Sequence, residues 1–325
     1  MNYFVTGATG FIGGRVARQL REAGHEVVAV VRNPAKAKDL ADLGVRLHQG
    51  DVTDKESMRA PMMGVDGVFH IAGWYKIGVR DKSDGARINV DGTRNVLELM
   101  KELRLPKGVY TSTLAVNSDT RGQLVDEAYR FTGQHLSEYD RTKAIAHDIA
   151  EAMIKGGLPL VIALPGLVYG PGDTSGLRAT FTQYLRRKLP LVPQQTAFGW
   201  GHVDDIARGH ILAMEKGKAG ESYIIAGPIH TLVEAMKIAE QITGLPAPMS
   251  APAGMFKLMS VLAGLIEPVA ALPDSYTSEG LRVVAGVTYI GDNSKARREL
   301  GYNPRPLKEG LTETLEHEMK LLGMK

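Results

Sequence analysis

The chain of 325 residues contains no cysteine. Disulfides, thiolate catalysis and cysteine-ligated metals are therefore excluded. Charge of one sign is also missing as a pattern: 39 basic residues face 36 acidic ones, scattered along the chain, for a net charge of +3. Such a balance reads as solvated surface and gives no tract for nucleic acid. No apolar run reaches the roughly 18–20 residues of a membrane span, and no charged leader with an apolar core precedes the first strand pattern. Internal repeats and low-complexity segments are absent as well. These absences lead us to expect a cytoplasmic protein. Its apolar content of 44 % is ample for a large core.

What the chain does have begins at its N-terminus. The apolar run Tyr3-Phe4-Val5 leads into Thr6-Gly7-Ala8-Thr9-Gly10-Phe11-Ile12-Gly13, and a helical pattern through Val16, Ala17 and Leu20 follows. Three glycines spaced three apart at a strand-to-helix junction suit a tight turn, close approach of a ligand and helix–strand packing. The first N–H groups of such a helix point at whatever lies above the loop, which favours a pyrophosphate.

Strand and helix patterns then alternate. Strands are expected at 27–31, 45–48, 67–71, 109–112 and 160–164, with helices over 85–103 and 139–153. This order implies right-handed βαβ crossovers and an α/β, doubly wound parallel sheet of the Rossmann type. After Pro165 the texture changes to frequent Gly and Pro, and Ser222 to Ala226 reads as one further sheet strand. We expect a dinucleotide-binding domain from 1–166 and 201–229, and a smaller substrate lobe from 167–200 and 230–325.

Tyr139 and Lys143 stand four apart, so a helix places both on one face. An ammonium near a phenol stabilises the phenolate and would lower the tyrosine pKa toward the range of a general acid/base. The hydroxyls of Thr111, Ser112 and Thr113 close the preceding strand, where they would face the nicotinamide crevice or simply satisfy their own backbone.

With these motifs the chain resembles the extended short-chain dehydrogenases/reductases of the NAD-dependent epimerase/dehydratase superfamily. The resemblance rests on TGATGFIG at 6–13, GDVTD at 50–54, NVDGT at 89–93, YDRTK at 139–143, PGLVYGPGD at 165–173, HVDD at 202–205 and the segment from Asp292 to Tyr302. Within that group it is similar to the dihydroflavonol-reductase-like and 3β-hydroxysteroid-dehydrogenase-like branch. The resemblance implies that Tyr139 exchanges the proton, and that Lys143 binds the nicotinamide ribose while tuning Tyr139. It implies Thr113 as the catalytic hydroxyl, with Ser112 as the other candidate. Gly7, Thr9, Gly10, Phe11, Ile12 and Gly13 would cradle the pyrophosphate. Asp51 and Val52 would flank the adenine, Ala72 and Gly73 would pass beside the ribose, and Pro165, Gly166, Leu167 and Val168 would lie against the nicotinamide. A homodimer through the helices at 85–103 and 139–155 is likewise implied by the resemblance alone.

An acidic residue after the second strand would favour NAD. This chain has Arg32 there, with Lys36 and Lys38 close behind, which favours a 2′-phosphate and hence NADP(H) over NAD(H). Leu167 replaces an Asn common in nucleotide-sugar enzymes, and no Arg precedes His202, so a diphosphate-bearing substrate loses two polar contacts. Trp74, Tyr75 and the methionine-rich stretch 253–272 point to a small, fairly apolar carbonyl or alcohol. That stretch could equally pack on the sheet lobe, and Lys257 as its only basic residue speaks against a membrane-surface helix. His202, Asp204 and Asp205 are read as a helix start with Asp204 as cap or ion-pair partner, and no metal is expected. Asn89 is read as organising backbone and His70 as packed. The remaining alternatives are an epimerase or dehydratase with tightly bound NAD, and a non-catalytic cofactor sensor.

Overall fold

Residues 1–324 are described by a computed structural model. Six strands come first: β1 (Asn2–Thr6), β2 (Glu26–Val31), β3 (Arg46–Gln49), β4 (Gly67–His70), β5 (Gly108–Thr111) and β6 (Leu160–Pro165). The others are β7 (Leu167–Tyr169), β8 (Leu191–Pro193), β9 (Ala197–His202), β10 (Ser222–Ile225), β11 (Ile229–Thr231), β12 (Met249–Ala251) and β13 (Thr288–Tyr289). The main sheet has seven strands in the order β10-β6-β5-β4-β1-β2-β3, all of them parallel. Apolar runs such as Val27 to Val31 suit it, because helices cover both of its faces. Phe4 joins the core on one face and Val5 the core on the other, as strand alternation requires. The chain reverses its direction of winding between β1 and β4, so a crevice opens beyond Thr6 and His70, which pair in register.

The smaller lobe holds a sheet of β11, β9 and β13, with β7 added beside β9, and a two-stranded pair of β12 and β8. It sits past the carboxyl ends of the main strands because β6 runs through Gly166 directly into β7.

Two elements depart from the sequence expectation. The helix expected over 85–103 is interrupted: Ser83–Ala86 is α-helical, Arg87–Asp91 forms a wide π turn, and Gly92–Glu102 continues as α-helix. Asn89 lies in that turn, and its side chain bonds to both backbone groups of Trp74, a demand that regular helical winding does not meet. The helix Ala253–Ile266 does not pack broadly on the sheet lobe. It buries Phe256, Ser260 and Ala263, and packs in a small apolar cluster with Leu281 and Ala285. Leu258, Val261, Leu262 and Leu265 stay exposed, because the short helix Ser278–Arg282 covers only one stripe. No helix among the described residues is long and apolar enough to cross a membrane.

Candidate active site

The glycine loop closes as its spacing demands. Gly7 adopts a φ of +71°, and a Cβ on Gly13 would stand 2.2 Å from the Gly7 carbonyl oxygen. The helix Phe11–Glu22 starts at Gly10 with no side-chain cap and no acidic residue in its first turn. Its leading amides and positive dipole end therefore face the crevice without a carboxylate of the protein, which fits a dinucleotide pyrophosphate. Thr9 and Gly10 are exposed at the lip, and Phe11 and Ile12 are partly exposed behind them.

The other expected cofactor residues lie around the same crevice. Arg32, Lys36 and Lys38 are all exposed after β2. Asp51 turns its carboxylate onto Thr53, accepting from the backbone N–H at 2.9 Å and the hydroxyl at 2.8 Å. Val52 is buried, and its carbonyl accepts from Asn95. Ala72 donates its N–H to Thr6 Oγ1 at 3.1 Å, and Gly73 follows beside Asn89. At the other end Pro165 finishes β6. Gly166 approaches the Gly199 carbonyl so closely that a Cβ would stand 2.2 Å from it. Leu167 and Val168, both partly exposed, pair with Trp200 and Gly201.

Tyr139 and Lys143 sit in the first two turns of the helix Glu138–Lys155, whose N-terminus Ser137 caps through Asp140 N. Burial pushes the Tyr139 phenol up to about 12; a hydrogen bond with Thr113 pulls it down and the Asp140 charge raises it further. The expectation that Lys143 lowers this pKa is not met here. The lysine ammonium instead donates to the Thr111 carbonyl at 2.7 Å and to the Tyr110 hydroxyl at 3.1 Å. Burial brings Lys143 down to about 7, with no charged partner to offset it.

The two candidate hydroxyls have different surroundings. Thr113 Oγ1 caps the short turn that follows β5, accepting from Ala115 N, and stands near Tyr139. Ser112 Oγ lies 2.8 Å from His147 Nδ1, whose other nitrogen stands 3.4 Å from Glu151. His147 and Glu151 continue the four-residue spacing of Tyr139 and Lys143, so that stripe was legible in the sequence. Tyr110 was not, since it reads as an ordinary apolar strand residue. Asn89 Nδ2 donates to Thr142 Oγ1 as well as to the Trp74 carbonyl, which ties the loop after β4 to the helix of Tyr139. Trp74 is buried, whereas Tyr75 is half exposed.

At the lobe junction the cap is His202, which accepts from Asp204 N at 3.4 Å; Asp204 itself pairs with Arg15. Asp205 pairs with Arg305. His202, Asp204 and Glu313 bring potential ligand atoms within 4.8 Å of one another, but Arg15 and Arg305 already neutralise the two carboxylates.

A doubly wound parallel sheet with an open glycine loop at its switch point defines a dinucleotide-binding fold. The signature of the "NAD dependent epimerase/dehydratase family" matches residues 3–226. The chain belongs to that family, the extended short-chain dehydrogenases/reductases. It is 32 % identical to a "Putative dihydroflavonol 4-reductase" of Synechocystis sp., over 96 % of this chain and 93 % of that protein. Identity is 28 % to the "4-hydroxy-2-methyl-3-oxo-4-farnesyl-3,4-dihydroquinoline-1-oxide ketoreductase" of Stigmatella aurantiaca, covering 94 % and 92 %. The crystal structure of gox2253 superposes with a TM-score of 0.87 at 30 % identity, over 99 % of each chain.

Proposed function

We propose that the protein is an NADP(H)-dependent reductase/dehydrogenase that interconverts a carbonyl and an alcohol on a small, fairly apolar substrate. The observation that carries this reading is the pair Tyr139 and Lys143 in the first turns of one helix, with Thr113 near the phenol just past the carboxyl end of β5, beside the crevice of the glycine loop. The relatives given above, a "Putative dihydroflavonol 4-reductase" and a ketoreductase of a farnesylated ring, support the reaction class and the apolar character.

In this reading Gly7 to Gly13 hold the pyrophosphate, and Arg32, helped by Lys36 or Lys38, takes the 2′-phosphate. The dinucleotide, when bound, supplies or accepts the hydride. Tyr139 donates its proton to the substrate oxygen as charge develops there, and takes it back in the oxidative direction. Its high pKa keeps the phenol protonated at neutral pH and ready as the acid. Thr113, itself buried, holds the same oxygen by a hydrogen bond. Lys143 binds the nicotinamide ribose and restores the proton balance of Tyr139. The substrate lies between Trp74, Tyr139 and the smaller lobe. The reading also carries a homodimer through the outer faces of helices 92–102 and 138–155, which sedimentation would measure.

The test is consumption of NADPH against NADH over a panel of aromatic and aliphatic ketones and aldehydes, with Tyr139→Phe alongside. NADPH-selective turnover that the variant loses by about 10²–10⁴-fold, with cofactor affinity kept, is the expected result. Silence with both cofactors, and NAD(H) carried through purification, would replace this reading by internal-redox epimerase chemistry.

A further inference from the structure

We propose that Tyr110 is a positioning residue for Lys143, and that its ring is held by His70, which a one-way chain of hydrogen bonds fixes from Thr6 beside the glycine loop. This deepens the function proposed above, since it rests on Lys143 being the residue that meets the nicotinamide ribose.

The direction of the chain follows from counting donors and acceptors. The backbone N–H groups of Ile71 and Ala72 both donate to Thr6 Oγ1, each at 3.1 Å. With its lone pairs taken, Thr6 gives its own proton to His70 Nδ1, 2.8 Å away. His70 is buried and neutral, since burial draws its pKa down to about 3. It therefore carries its single proton on Nε2 and donates to Thr93 Oγ1 at 3.0 Å. The Tyr110 phenol stands near Thr93. From the opposite side Lys143 Nζ donates to the same phenol at 3.1 Å and lies 4.7 Å over its ring. The phenol oxygen thus accepts from the lysine, and the ring adds a cation–π contact. His70 stacks on the Tyr110 ring, with centroids 5.6 Å apart, and holds it in plane.

The arrangement solves a specific problem. Lys143 is buried, and a buried ammonium is held by oxygens or by a carboxylate. Here two oxygens and one ring do that work, and their placement is set from β1 and β4, the strands that flank the crevice. The amides fixed by Thr6 belong to the wall assigned to the cofactor ribose. The Thr6 hydroxyl thereby fixes both that wall and the His70 ring that stacks on Tyr110.

Tyr110→Phe removes the acceptor and keeps the ring; Thr93→Val removes the partner of His70 Nε2 and so loosens the ring stacked on Tyr110. Two readouts apply to the purified protein. One is the titration of Lys143, followed by NMR with ¹³Cε-labelled lysine and assigned with Lys143→Arg. The other is NADPH affinity by fluorescence between pH 6 and 9. The titratable groups facing the lysine are Tyr110 from β5, His70 from β4 and Tyr139 from its own helix. All three keep one protonation state over this range.

Losing an acceptor disfavours the charged lysine, so its titration in Tyr110→Phe moves to lower pH by about one unit, a tenfold change in protonation. NADPH affinity falls about tenfold at pH 8, and the deficit shrinks to about twofold toward pH 6, where at least about half of the lysine is protonated in both proteins. Thr93→Val shifts both readouts the same way by less. An unmoved lysine titration in Tyr110→Phe overturns the proposal, as does an affinity loss equal at every pH. A wild-type protein that binds neither NADPH nor NADH overturns the functional reading, while the lysine titration still decides this one.

Discussion

The Tyr289 hydroxyl donates to Asp140 Oδ2 at 3.1 Å, so a strand of the smaller lobe is bonded to the residue that follows Tyr139. Ser137 gives Oδ1 its other hydroxyl at 2.7 Å. Asp140 is 1 % exposed and has hydroxyls for partners where a buried carboxylate usually has a cation. Burial pushes it up to about 6, with Ser137 and Tyr289 pulling it back.

That position gives a pH-dependent stability with a definite sign. An acid raised from 3.8 unfolded to about 6 folded favours the fold fully only below about pH 4. The benefit is lost as pH rises through 6, and the lost stability is about 3 kcal/mol. Asp140→Asn keeps an acceptor for Ser137 and stays neutral. In urea unfolding it should exceed wild type by about 2 kcal/mol at pH 8 and match it at pH 4. A variant less stable at pH 8 than wild type would refute the burial argument.

Thr113 and Ser112 separate by substitution. Thr113→Ala should lower kcat about 10²-fold at unchanged NADPH affinity, because it removes a bond to the reacting oxygen. Thr113→Ser should restore most of the loss. Ser112→Ala leaves His147 without its 2.8 Å partner and should cost about 1–2 kcal/mol of stability, with turnover nearly intact. If the two alanine variants exchange these effects, Ser112 is the catalytic hydroxyl.

Gly13→Ala tests the loop without touching charge. Its Cβ would stand 2.2 Å from the backbone oxygen of Gly7, and backbone cannot rotate away as a side chain can. We expect a loss of about 3 kcal/mol in thermal or urea unfolding, together with loss of NADPH binding. Gly14→Ala is the control, since its nearest contact is 3.2 Å.

Glu279 reaches from the smaller lobe to the helix of Tyr139. It accepts from Glu138 N at 2.7 Å with one oxygen and pairs with Lys82 through the other. The carboxylate adds to the Ser137 cap at a helix N-terminus. Glu279→Ala should cost about 2 kcal/mol and Glu279→Gln about half as much, since the amide still accepts from Glu138. Equal losses in the two variants would mean that the charge matters more than the hydrogen bond.

Much of this site could be read before any coordinates. Tyr139 and Lys143 were legible because a helix fixes what lies four residues on, and the glycines because a tight turn restricts which residues tolerate it. His70 was read as packed, and its ring is enclosed by Thr6, Thr93 and Tyr110. The partner of Lys143 was not legible. Tyr110 stands 33 residues away in a strand whose pattern marks it only as apolar. The helix 253–266 shows the same gap, since its sequence cannot say that only one stripe finds a cover.

By itself the sequence determined what depends on neighbours along the chain: the glycine turn, the open helix end, the Tyr139–Lys143 spacing and the basic residues after β2. Each follows from backbone geometry over a few residues. The tertiary structure decided which groups are buried and what they meet, because burial and hydrogen-bond partners come from segments far apart in sequence. It turned Lys143 toward Tyr110, raised Tyr139 where a lowering was expected, and left Asp140 between two hydroxyls. Desolvation outweighs local pairing at all three, and desolvation belongs to the assembled fold.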